Sequence, residues 1–461
     1  MGPCSAKPGP GRTGQSSIGH YTGKQLFRPF GQVRNGEGIT VFLLALIGFL
    51  LLTSYYILKV VREPLIIADG GAELKRYSSA IQALLLVGAV RLYDVLAARL
   101  NSMKLISLIH LFFISNLLIF FGLSQLSVPL GVPFFLWVGI FNVTVIAQFW
   151  AFTNDIYTNE QGQRLFAIVG VGGSLGAVAG ADIAGWLFKP LGPYLLLLLA
   201  AAILLVCLLL NWVVYWRVSR ASNPIPPTEG EDPIGNGSTF KLLIQDRYLL
   251  LIGALTLMLS WVGSMGDYIL DRTLLDAAQA AAMGQANSHY LIEQYIGSFR
   301  AHFFTWVNIA SLILQAFFVS RLIRYWGVGA ALYIMLLVAL ASYASMAVLP
   351  VLAVIAIGKA AESGVSYSLG NTARHALFLI TPREAKYKAQ TFIDTFFWRA
   401  GDVFAAAMVG LGSALLMTRV HFIWITLGLI LLWLVVVIAL SRLYRQRANP
   451  DRIGEARWET P

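Results

Sequence analysis

A helix needs about 20 mostly apolar residues to cross the hydrocarbon core of a bilayer, and this chain of 461 residues supplies that length about twelve times. The candidate spans are 38–60, 77–97, 104–124, 133–155, 165–188, 193–216, 247–269, 300–321, 328–349, 351–373, 389–415 and 420–441. The weakest of them as spans are 77–97, 300–321 and 389–415, each with internal charge. The chain is 57% hydrophobic and 12% charged, where soluble domains average roughly 25% charged, so most of its surface is expected to face lipid. The expected fold class is an all-α integral membrane protein with about twelve transmembrane helices.

The polar connections set the topology. One series of them, from the N-terminal tail through Arg99–Lys104, 217–246 and the tail after Arg442, is rich in Lys and Arg, whereas the alternate series is short and mostly uncharged. By the positive-inside rule both termini are cytoplasmic, and the protein is expected in the cell (inner) membrane. The net charge of +11 is explained by these loops, without a nucleic-acid partner. Residues 1–37 have no periodicity and read as a disordered tail, so the first apolar run is expected as an uncleaved anchor. The Pro- and Gly-rich stretch 217–246 reads as a cytoplasmic linker between six-helix bundles at 38–216 and 247–443, with a second tail at 444–461. Two stretches, 61–76 and 270–299, read as external connections carrying charges of both signs; the second, with its Ala-rich run, could form a short surface helix and shows no chemistry.

Charge inside a span costs on the order of 2.5–3.5 kcal/mol on insertion scales, so such residues face a cavity or a partner. Asn371–Phe404 concentrates it: Arg383, Glu384, Lys386 and Lys388 belong to a loop, Arg374 and Asp394 sit at the loop's two helix ends, and Arg399 and Asp402 lie deeper. Lys359 and Glu362, three residues apart, share one face of span ten, and Arg91 with Asp94 repeats that spacing in span two. Either each pair neutralises itself, or its basic member attracts an anion. Lys59 and Arg62 lie at the external end of span one, where they could snorkel to the interface or bind solute. The candidate substrate-binding residues are therefore Lys59, Arg62, Arg91, Lys359, Arg374 and Arg399, and the candidates for gating or proton coupling are Asp94, Asp155, Glu362, Asp394 and Asp402. Tyr55, Tyr56 and Trp398 could stack on a base.

Enzymatic chemistry finds little support. The six histidines have no metal-ligand spacing, no C-x-x-C occurs, and Gly172–Gly176 matches G-x-S-x-G only inside an apolar helix. Small residues at this spacing serve close helix packing, here at a contact that could move. Cys207 reads as an inert packed thiol. No cofactor or metal is required, and the expected partners of a monomeric chain are the bilayer and a small anionic solute.

Four stretches carry a resemblance: Tyr56–Leu65, Phe149–Gly176, Ile296–Gly327 and Asn371–Asp402. The second is the most specific, joining Phe149-Trp150, Phe152 and Asn154 to a downstream Arg164 and a Gly-rich helix. Together they resemble the ATP/ADP translocase family of plastids and intracellular bacteria, within the major facilitator superfamily, and more closely its branch in free-living bacteria. The resemblance covers about 40–445. It implies two six-helix bundles about a central site, and exchange of ATP for ADP, of other nucleotides or of phosphate. It also implies a substrate-binding charge at Arg62, which here has Val60, Val61, Glu63 and Pro64 around it where the nucleotide exchangers are more polar. The alternative expectation is a proton-coupled carrier of an unrelated small molecule.

Overall fold

A straight 62-residue helix would be roughly 90 Å long, about three times the hydrocarbon thickness of a bilayer, so the run Gly38–Arg99 has to double back. In the computed structural model it does so at Gly71, whose φ of 74° suits a residue without Cβ. The reversal brings Glu63 and Lys75 into a buried ion pair, although twelve residues of straight helix would hold them roughly 18 Å apart. The run Asn159–Arg220 turns in the same way at Gly192, between Pro190 and Pro193, and Gly327 turns the run that leads to Val348.

The structure describes residues 34, 37–126, 128–157, 159–220, 243, 246–285, 287–381 and 389–448. Split at those glycines, the described residues form twelve rods. They are α1 (38–70), α2 (72–99), α3 (Ser102–Ser124), α4 (Gly131–Ile156), α5 (159–191) and α6 (193–220), then α7 (Arg247–Ala282), α8 (288–326), α9 (328–348), α10 (352–380), α11 (390–414) and α12 (Arg419–Ala448). Large apolar side chains such as Leu84, Trp186 and Leu431 project outward, as a lipid-facing surface requires. The fold is the expected all-α membrane one, with two sets of six helices.

An even number of rods puts the start of α1 and the end of α12 on one side. Asp246, which caps α7, and Arg447, near the end of α12, meet there at 2.6 Å. We call this the terminus side and the opposite face the far side. Most of the linker, the two tails and the loop residues Arg383, Glu384, Lys386 and Lys388 lie outside the described residues.

Several helix ends differ from expectation. α1 continues through Pro64 to residue 70, α2 starts at 72, α7 runs to Ala282 and α8 begins at Ser288. The stretches 61–76 and 270–299 are therefore mostly helix rather than connections. Their charges gave them a loop-like composition, but Glu63, Lys75, Arg76 and Asp271 are buried against each other between the two halves.

The glycine stripe of α5 has a clear cause. Gly172, Gly176 and Gly180 lie directly on the backbones of Ala45, Phe49 and Thr53, so a Cβ at any of the three would collide with α1. Thr53 Oγ1 donates to the Gly176 carbonyl at 3.2 Å. This joint lies within the first half and fixes it, while Gly185, further along the same helix, faces Ala301 of α8 across the two halves.

Among the described residues of the second half, turns of π-helix occur at Leu314–Val319, Ser366–Gly370 and Ile393–Phe397. Such turns redirect side chains, frequently at functional sites. Here one carries Tyr367 and another immediately precedes Trp398, and both residues line the central cavity.

Candidate functional site

Between the two halves lies a cavity of about 240 Å³ whose wall is dense in ionic groups. α1 and α2 contribute Lys59, Arg62, Glu63, Lys75 and Arg76, while α7, α8, α10 and α11 contribute Asp267, Arg300, Lys359, Glu362, Arg399 and Asp402. Asp271 of α7, wholly buried, stands just behind them.

Three substructures organise these charges. In the first, on the far side of the cavity, Glu63 accepts from Arg62 at 2.7 Å and from Lys75. Lys75 also donates to Asp271 at 2.7 Å, and Asp271 accepts from Arg300 as well. Arg76 approaches Asp271 at 3.9 Å and donates to the Ser264 carbonyl at 3.3 Å. In the second, Lys359 pairs with Glu362 at 2.6 Å, lies 3.5 Å from Asp267 and donates to the Gly263 carbonyl. In the third, Arg399 reaches Asp402 at 3.3 Å, and Asp402 also accepts from Ser264 Oγ at 2.7 Å.

Lys59 is different. Its ammonium lies 4.3 Å from the Phe304 ring centre, 5.0 Å from Tyr56 and 5.9 Å from Tyr367. No carboxylate among the described residues comes within ion-pair distance of it. An interface-seeking lysine would point out of the protein, whereas this one points into the cavity because α1 continues well beyond it. Arg62, expected beside it at the helix end, is likewise internal and lies 4.5 Å over Phe135.

The cavity thus unites Lys59, Arg62, Lys359, Arg399, Glu362 and Asp402 from the sequence-based candidates. Lys359–Glu362 and Arg399–Asp402 form the neutralising i,i+3 pairs anticipated for them. Arg374 and Asp394 pair with each other at 3.4 Å, with Arg374 5.0 Å over Trp398, but neither lines the cavity. Arg91 is exposed and stands apart from the cluster, and the side chain of Asp94 lies outside the described residues. Asp155 is exposed and accepts from Ser102 Oγ at 2.7 Å. Of the aromatic candidates Trp398 lines the cavity, whereas the Tyr56 hydroxyl is engaged by Asn308 at 3.0 Å and Tyr55 packs edge-on against Tyr56.

Six charged residues escaped the sequence reading: Glu63, Lys75, Arg76, Asp267, Asp271 and Arg300. Five of them lie within or at the edge of stretches read as polar connections. The usable signal was the presence of both signs in each stretch, which a solvated loop does not need.

The polar bridges between the halves gather from mid-membrane to the far side. Besides Lys75–Asp271 they include Tyr56–Asn308, Glu73 with Tyr268 and Arg272, and Asp69 facing His289 at 3.6 Å. Among the described residues no cluster suited to a metal ion occurs.

Comparisons with known proteins agree with this geometry. The backbone is similar to a bacterial homologue of the human lysosomal transporter Spinster, in an inward-facing and unoccupied conformation, with a TM-score of 0.58 and 14% identity over 90% of this chain and 99% of that one. It is similar to the nucleoside transporter NupG, with a TM-score of 0.63 and 11% identity over 88% and 99%. It also resembles the POT family transporter PepTSo, with a TM-score of 0.64 and 12% identity over 88% and 98%. At these identities the likeness concerns the fold. No curated protein matches the chain. The sequence profile described as Major Facilitator Superfamily matches residues 138–406, more than half the chain and parts of both halves. With its two sets of six helices around a polar cavity, the chain belongs to the Major Facilitator Superfamily.

Proposed function

We propose that this protein is a secondary carrier that moves a small anionic solute, such as a nucleotide or another phosphorylated metabolite, by exchange. The observation that carries the reading is the cavity between the halves, where basic side chains outnumber acidic ones. Lys59 would attract the anion, joined by Arg62, Lys359 and Arg399 where the solute shares them with their paired acids, and Trp398 offers a flat face for a ring. The two units at 38–216 and 247–443 would rock against each other about the linker at 217–246, so that the site faces either side in turn. The basic connections favour an inner-membrane protein with both termini in the cytoplasm. The ATP/ADP translocase resemblance makes nucleotides the first solutes to test.

The experiment is counterflow into liposomes containing the purified protein and loaded with unlabelled ADP. Uptake of labelled ATP or ADP that depends on the internal nucleotide supports the reading, and Arg62→Ala should reduce it at least tenfold. A second reading, a proton-coupled carrier, draws on the acids Asp267, Glu362 and Asp402 that face the same cavity. Uptake of an uncharged or cationic solute driven by acidification, with no anion exchange, would favour it and exclude the first.

A further inference from the structure

The two walls of the cavity carry unequal charge. On the wall made by α1 and α2, four cations stand with one acid, Glu63, a formal +3. On the wall made by the second half, three cations stand with four acids once Asp271 is included, a formal −1. The site as a whole is therefore +2.

Buried ions without counter-charge cost several kcal/mol each, and the pairs already described satisfy most of the groups. Lys59 is the exception, held by three ring faces and no carboxylate. Ring faces stabilise a cation by about 0.5–2 kcal/mol, and Lys59, half-buried at the cavity wall, keeps no carboxylate, so a solute entering the cavity can supply the counter-charge.

We propose that the transported solute is a dianion, bound against the α1–α2 wall with Lys59 as its principal partner. This rests on the anion-carrier reading above. Two negative charges bring that wall from +3 to +1, opposite to the −1 of the wall facing it. The loaded site is then neutral and its walls attract. A monoanion leaves one cation uncompensated, whereas a nucleoside triphosphate reverses the sign of the site. A phosphate monoester, which carries about −1.5 to −2 at pH 7, meets the requirement, and so does a dicarboxylate.

The test is equilibrium binding to the full-length protein in detergent, using one scaffold at four charges: cyclic AMP, AMP, ADP and ATP. Succinate and inorganic phosphate are added to separate dicarboxylate from phosphate recognition. The expected order has a dianion, AMP or succinate, at least tenfold tighter than cyclic AMP and tighter than ATP. Lys59→Gln lowers the site by one charge, so the dianion weakens at least tenfold while cyclic AMP does not. Asp267→Asn, at a side chain already 40% exposed to the cavity, raises the site by one charge and moves the optimum towards ADP. An order in which ATP or cyclic AMP binds the wild type most tightly overturns the assignment, as does an order that neither variant shifts. If no anion of the panel binds, the anion-carrier reading falls, and this inference with it.

Discussion

Glu63 is 1% exposed and receives both Arg62 and Lys75. Glu63→Gln leaves two buried cations one acid short, and breaking a buried pair costs about 3–5 kcal/mol. Its melting temperature in detergent should fall well below that of the wild type, with Glu63→Asp intermediate. An unchanged melting curve would mean that the first half does not depend on this network. Gly176 makes a complementary case in packing. A side chain there has to enter the Phe49 backbone, and overpacking costs about 1–3 kcal/mol. Gly176→Leu should therefore destabilise, whereas Gly170→Leu, on the same helix with open space beside it, should not. Legibility in sequence divides along similar lines. Lys359–Glu362 and Arg399–Asp402 could be read because helical spacing alone pairs them. Lys75, Asp271 and Arg300 could not, because their partners come from other rods.

Among the helices, Lys75 holds a special place, since it donates both to Glu63 in its own half and to Asp271 in the other. When the halves part on the far side, Lys75 keeps Glu63 and Asp271 keeps Arg300, so neither acid is stranded. Lys75→Met removes the bridge, leaving Glu63 with Arg62 and Asp271 with Arg300, and should let the far side open. Spin labels at Gln125 and Gln279, both exposed and both at far-side ends, would report a longer or broader distance in this variant. An identical distribution would show that the bridge does not hold the halves together. The rods themselves were legible because a span has a minimum apolar length. Their ends were not, because 61–76 and 270–299 carry charges that pair across the interface, and composition alone makes such segments indistinguishable from solvated loops. The far-side turns at Gly71 and Gly192 mark boundaries that hydropathy placed only to within several residues.

At the scale of the whole molecule, Asp246 and Arg447 tie the first rod of the second half to its last on the terminus side. Partial burial alone would raise the Asp246 carboxyl, but hydrogen bonds from Arg447 and from the Tyr248 backbone N–H outweigh it and hold the carboxyl below its usual range. A depressed carboxyl contributes stability that is complete above the unfolded value, about 3.9, and is lost as pH falls through the folded one. Arg447→Gln should therefore narrow the stability difference between pH 7 and pH 3, by no more than about 1 kcal/mol for a pair this accessible. A variant whose acid unfolding superimposes on that of the wild type would deny the pair any role.

The uncompensated cations around Lys59 have an electrical consequence. An elementary charge that crosses a membrane potential of 100 mV exchanges about 2.3 kcal/mol with it. An empty site of +2 that changes its exposure from one face to the other therefore works with or against the field by up to roughly 4–5 kcal/mol, while a site neutralised by a dianion passes unaffected. One-for-one exchange should then run at the same rate with or without a potassium–valinomycin diffusion potential across the liposome. Net unloading, which needs the empty return, should change speed with the sign of that potential. The same two charges that call for a solute would make the carrier reluctant to travel without one.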